Sequence, residues 1–190
     1  MKNNIMKKVL VIAAAALVSL AAMAQPKFAH VNFSELVQLM PEADQARATI
    51  QASSQEAQET YQAMVEEFNS KYQTYQQKVS TWTPAIRDSK EKELTEIQQR
   101  IQTFEASVQQ ELAQQQQSLM APIQKKAMDT VNDLAKKDGF VYVFDVSQLL
   151  YFDPAQSVDL TPAARKALGI KEGRTLETLQ QELQAQAQAE

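Results

Sequence analysis

The chain has 190 residues, no cysteine, one histidine, and 19 Lys+Arg against 23 Asp+Glu. Without cysteine it has no disulfide scaffold, no thiol nucleophile and no thiolate metal site, so its stability rests on packing. The acidic balance and the lack of any Lys/Arg cluster argue against a nucleic-acid partner, because neutralising phosphates needs clustered cations.

Lys2, Lys7 and Lys8 form a basic start, Val9–Leu20 an apolar run short for a bilayer, and Ala22-Met23-Ala24 a small-x-small cleavage pattern. Residues 1–24 therefore read as a secretory signal peptide, with the mature chain starting at Gln25 and soluble. A retained membrane anchor is the competing reading. Removing those three lysines leaves 16 cations against 23 acids, a net charge of −7.

Lys27–Phe33 alternates and is rich in β-formers, which predicts a strand. Ser34–Met40 predicts one or two helical turns ending at Pro41. Between Pro41 and Gly139 there is no glycine, and the only prolines are Pro84 and Pro122. This stretch predicts two long helices. The first, about 42–80, carries the heptad seam Tyr61, Val65, Phe68, Tyr72, Tyr75 and Val79. Upstream the seam weakens to Ala43, Ala46, Ile50 and Ala57. Residues 80–84 read as a turn, with Thr83 and Pro84 starting the next helix. The second helix, to about Lys137, carries Leu94, Ile97, Ile101, Phe104, Val108, Leu112 and Leu119, with Ile123, Val131 and Leu134 beyond. Pro122 is expected to kink it, and Gly139 to end it.

Phe140–Val146 predicts a strand, Leu149–Phe152 a shorter one, and Val158–Leu160 another. Thr161-Pro162 is expected to cap a helix through Leu168, closed by Gly169. The tail, 171–190, has Leu176, Leu179 and Leu183 at helical spacing, but with no partner for them it is expected to be frayed or disordered.

The turn near Trp82 lies midway between the first and second strands, so two helical arms of about 60–75 Å can fold back and bring the strands together. The fold class is thus mainly α: a long antiparallel helical hairpin (42–137, tip near 80–84) on a small β body (25–41 with 138–170). A body of some forty residues is too small to hold a core alone, and its apolar edges need covering. Oligomerisation through Val31, Phe33, Val141, Val143, Leu150, Val158 and Leu160 is the expected solution. In the hairpin, Tyr61, Val65, Phe68 and Tyr72 are expected to face Leu94, Ile97, Ile101 and Phe104 as helix-to-helix core.

The order of elements resembles the Skp/OmpH family of periplasmic chaperones over residues 27–170. The specific part is the closing segment: Gly139-Phe-Val-Tyr-Val-Phe-Asp145, then Leu150-Tyr151-Phe152-Asp153-Pro154, then Val158-Asp159-Leu160-Thr161. The resemblance implies a homotrimer whose strands form the trimerisation body. Its hairpins would be tentacles around a cavity holding unfolded outer-membrane proteins in the periplasm, without ATP or any cofactor. Better-known members have basic tentacles. Here residues 41–67 hold one base against six acids, and residues 68–100 six bases against four acids. Capture by a basic grip is therefore not expected, and lipopolysaccharide binding is not supported.

His30 reads as a strand histidine, not a metal or catalytic group. Asp145 and Asp153 read as structural caps. Trp82, at the tip, either packs the turn or touches clients and, transiently, a membrane surface. Gly-rich phosphate loops, Ser/His/Asp sets and metal spacings are absent from the sequence, so an enzyme is not expected. The alternative function is a structural or adaptor coiled-coil protein of the cell envelope.

Overall fold

A computed structural model describes residues 26–189; the signal-peptide reading falls on residues outside that range. The chain forms two compact units: one runs up to Leu36 and resumes at Ala127, and the other is Val37–Lys126.

The first unit contains a three-stranded sheet of β1 (Phe28–Val31), β2 (Tyr142–Asp145) and β3 (Val158–Asp159), in the order β2-β1-β3. Both pairings are parallel, with Phe28 opposite Tyr142 and Ala29 opposite Val158. Parallel strands need long connections, and the two long helices lie between β1 and β2. β1 stops at Val31 because Asn32 caps helix α1 (Phe33–Leu39). Its Oδ1 accepts from Glu35 N at 3.1 Å, while its Nδ2 donates to Glu35 Oε2 at 3.1 Å. Phe33 is therefore the first residue of a helix, not the last of a strand.

The second correction concerns Leu149–Phe152, which is not a strand. Two single 3-10 turns, Val146–Gln148 and Pro154–Gln156, flank it. Asp145 accepts from Ser147 N at 3.1 Å and Asp153 from Ala155 N at 2.9 Å. Aspartates that bond the local backbone compete with a strand ladder, so both act as the caps the sequence suggested. Asp145 also accepts from Phe33 N at 3.3 Å.

Helix α4 (Thr161–Ala167) follows β3. Thr161 is not its side-chain cap; its Oγ1 accepts from Asn32 N at 3.1 Å, and Asp159 Oδ1 accepts from Thr161 N at 2.8 Å. The Asp-Leu-Thr segment thus ties the end of β1 to the start of α4. Between them Leu160 is 3 % exposed. Gly169, at φ +71°, ends the helix, with Ile170 N bonded to Arg165 O at 3.0 Å.

The tail is a third correction. Residues Leu176–Ala189 form helix α5, started by reciprocal bonds between Thr175 and Thr178. Leu179 is buried, and the Arg165 guanidinium donates to the Arg174 carbonyl.

The second unit is an antiparallel hairpin of α2 (Pro41–Lys78) with α3 (Pro84–Asp138) up to Lys126. Proline at the first turn and acidic Glu42 and Asp44 favour the start of α2. Threonines inside the helices donate to the carbonyl four residues back, as Thr60 does to Glu56 O at 2.9 Å, so they do not break the backbone ladder. At the turn, Ile86 N and Arg87 N donate to Thr83 O. α3 continues through Pro122 and closes at Gly139, at φ +72°, with Phe140 N bonded to Ala135 O at 3.0 Å.

Candidate functional site

The strand unit exposes apolar side chains on both sides of its sheet. Val141, Tyr142, Phe144, Leu150, Tyr151 and Val158 are all exposed, Leu150 completely. Phe28 stacks on Tyr142 at 6.1 Å, and Tyr142 on Phe144 at 6.0 Å. Among the described residues β2 pairs only with β1, which leaves its other edge without a strand partner there. Of the residues singled out from sequence, Val31 and Leu160 are buried, Phe33 and Val143 are half-buried, and Val141, Leu150 and Val158 are exposed. Val158 is in register with Ala29 and Val143, on the side of the sheet opposite Tyr142 and Phe144, which share theirs with Phe28. Tyr142 and Phe144 alternate with Val143 on the strand, which is the signal that marks them.

His30 lies in β1. Its Nδ1 is 2.9 Å from Ser157 Oγ, its ring 4.7 Å from that of Phe152, and its Nε2 3.9 Å from Asp159. Among the described residues no cluster of three or more His, Asp and Glu side chains is arranged to hold a metal. No described helix is long and apolar enough to cross a membrane.

In the hairpin, cross-helix contacts fix the register. Arg100 meets Glu67 at 3.0 Å, Gln115 Nε2 donates to Ser53 Oγ at 3.0 Å, and Lys126 pairs with Glu42. The seam residues fall on the inner stripe of both helices. Ile97 is 2 % exposed; Tyr61, Val65, Phe68, Leu94, Ile101 and Phe104 are half-buried, and Tyr72 is exposed, stacked on Phe68 at 5.9 Å. Trp82 is half-buried and meets Tyr75 edge-on at 5.9 Å, so the indole packs the turn.

The distal part is laced by charge. Lys71 pairs with Glu93 across the helices and lies 3.7 Å from Glu67, and Lys90 meets Glu93 at 2.8 Å. Hydrogen bonds from Lys71 and then Lys90 hold the Glu93 carboxyl down to about 2. The Tyr75 hydroxyl donates to Glu91, which pushes its phenol up. Nearer the other end, the bond from Lys126 holds the Glu42 carboxyl below its ordinary value.

The middle of the hairpin is open. Two cavities of about 470 and 530 Å³ lie where Ala57 of α2 faces Phe104, Val108 and Leu112 of α3. A third, of about 650 Å³, opens beside Met64 and Phe104. The cause is in the sequence: between Ile50 and Tyr61 the largest apolar side chains on α2 are alanines. Small residues opposite large ones leave hollows.

Residues 27–168 match the model of a protein family described as outer membrane protein (OmpH-like). No curated protein matches the chain. The family match ends at the close of α4, so α5 lies outside it.

Proposed function

Because this chain belongs to the OmpH-like family, a family of periplasmic chaperones of outer-membrane proteins, we propose that it is an ATP-independent holdase. It binds unfolded outer-membrane proteins and prevents their aggregation before insertion. The observation that carries this reading is the hairpin, whose apolar seam is half-covered and hollow over its middle. Unfolded barrel strands alternate apolar and polar residues, and they aggregate by edge pairing. Half-open helical grooves rich in Gln, Ala, Met and aromatic groups meet both kinds of side chain. Several contacts, each well under about 1 kcal/mol, add as avidity on one chain.

The working form is a homotrimer in the periplasm, delivered there by the leader at 1–24. Its body comprises 25–41 and 138–170, its hairpin 42–137, and 171–190 forms the tail. Support for the trimer comes from the exposed apolar side chains of Val141, Leu150 and Val158 in the strand unit, which a second and third copy would cover. Val31, Phe33, Val143 and Leu160, buried or half-buried in the same unit, belong to the same trimerisation body. Trp82 at the turn makes only transient contact with clients or a membrane surface. Catalysis has no part in this reading.

Light scattering and an aggregation assay test it. The expected native mass is that of three chains, and the expected effect is an unfolded barrel kept soluble without nucleotide. Full-length clients carry both charge signs, so retention is expected to change little between low and moderate salt. A monomer, or a trimer that leaves aggregation unchanged, contradicts the proposal.

A further inference from the structure

The hairpin's charges are not spread evenly. Residues 48–66 of α2 and 101–119 of α3 contain no lysine or arginine, but they carry Glu56, Glu59, Glu66, Glu105 and Glu111. Among the described residues none of these five forms an ion pair, although the Tyr61 hydroxyl donates to Glu105 across the hairpin and Gln55 Nε2 donates to Glu59 at 3.4 Å, whereas Glu67, Glu93 and Glu96 of the stretch 67–100 each meet a lysine or arginine. This uncompensated band coincides with the two hollows beside Phe104. Glu56 and Glu111 line one, and Glu105 lines the other. Glu56 and Glu111 are exposed at the rim, while Ala57, Phe104, Val108 and Leu112 are half-buried and form the apolar wall.

We propose that this mid-hairpin groove docks one kind of occupant: an extended segment of unfolded polypeptide in which lysine or arginine flanks an apolar or aromatic side chain. The inference rests on the holdase reading and adds the chemistry of the segment it prefers. The apolar side chain enters the hollow that Ala57 leaves, against Phe104 and Leu112. The flanking cation lies over the rim carboxylates of Glu56 and Glu111. The geometry needs no ordering of the partner beyond local extension, since the groove runs along the helix seam. A segment flanked by Asp or Glu meets the like charges of Glu56, Glu105 and Glu111, which line the hollows with no lysine or arginine within the band to offset them. Enclosure then acts on every client, and the groove selects which of its segments is gripped.

The test titrates the full chain with fluorescent peptides of one alternating apolar–polar sequence. Their polar positions are all lysine, all glutamine or all glutamate. Binding is read by anisotropy, and aggregation suppression of an unfolded barrel is read alongside. The lysine peptide is expected to bind about tenfold tighter than the glutamate peptide at low salt, and this preference is expected to collapse as salt rises. The double substitution Glu56→Gln/Glu111→Gln should reduce it to about threefold or less. The same charge change in the tail, Glu172→Gln/Glu177→Gln, should leave it intact. Ala57→Leu, which fills the hollow, should weaken all three peptides together. Equal binding of the three peptides, or an unchanged preference in the Glu56/Glu111 variant, overturns the inference. If barrel aggregation is still suppressed in that case, the holdase reading stands without it; if suppression fails in the wild type, that reading fails first.

Discussion

The distal and middle parts of the hairpin use the same two helices and the same register, yet they close differently. Distally, Ile97 is fully packed, Phe68 stacks on Tyr72, and Lys71 with Glu93 and Arg100 with Glu67 bridge the helices. In the middle, Ser53 and Ala57 face Phe104, Val108 and Leu112, and the helices leave hollows rimmed by carboxylates without a lysine or arginine partner. Small side chains at Ser53 and Ala57, where the seam further along α2 carries Tyr and Val, turn a closed seam into a groove. On the proposed function the difference divides labour: the distal contacts hold the hairpin together, and the middle takes the client.

The largest expected effect comes from breaking the closed region. Ile97→Ala should cost about 2–4 kcal/mol in denaturant unfolding, the range for deleting a buried aliphatic side chain. Phe104→Ala should cost less, about 1–2 kcal/mol, because that ring is half-exposed and already borders empty space; an equal or larger loss would show that the middle is as tightly packed as the tip. Ala57→Leu should change stability by less than about 1 kcal/mol, whereas the same enlargement in a filled core ordinarily costs about 1–3 kcal/mol. Melting curves of the variant settle which applies.

The smallest effect is electrostatic. Glu93 titrates near 2 when folded and near 4.5 in its ordinary state, so its carboxylate contributes stability in full above about pH 4.5. That contribution is lost as pH falls through the folded value. Protection factors of amides near 67–100, corrected for the slowing of intrinsic exchange in acid, should therefore fall further on acidification than those at 105–115. Glu93→Gln should remove the difference and cost well under about 1 kcal/mol at neutral pH, as exposed pairs do.

Much of this contrast was legible in the residues. The Tyr61–Val79 steps mark the seam, and of the alanines upstream only Ala57 lies at the mid-hairpin hollows, whereas Ala43 and Ala46 are buried; periodicity does not tell a small residue that packs from one that leaves a hollow. Gly139 and Gly169 were readable as helix stops because each ends a helix at positive φ. Strand limits were over-read because Asn32, Asp145 and Asp153 bond local backbone, and apolar alternation carries no trace of that competition. The tail was misread because Leu179 finds a buried site and Thr175 pairs with Thr178, a long-range and a local contact that composition alone does not reveal. The parallel pairing of all three strands also lies beyond pattern, since alternation fixes faces and not direction.

Hydrogen exchange of the full chain with and without a bound unfolded barrel tests the central claim most directly. The account predicts that binding slows exchange at residues 48–66 and 101–119 and leaves 67–100 nearly unchanged. Protection confined to 67–100, or to the strands around Val141 and Val158, would contradict it.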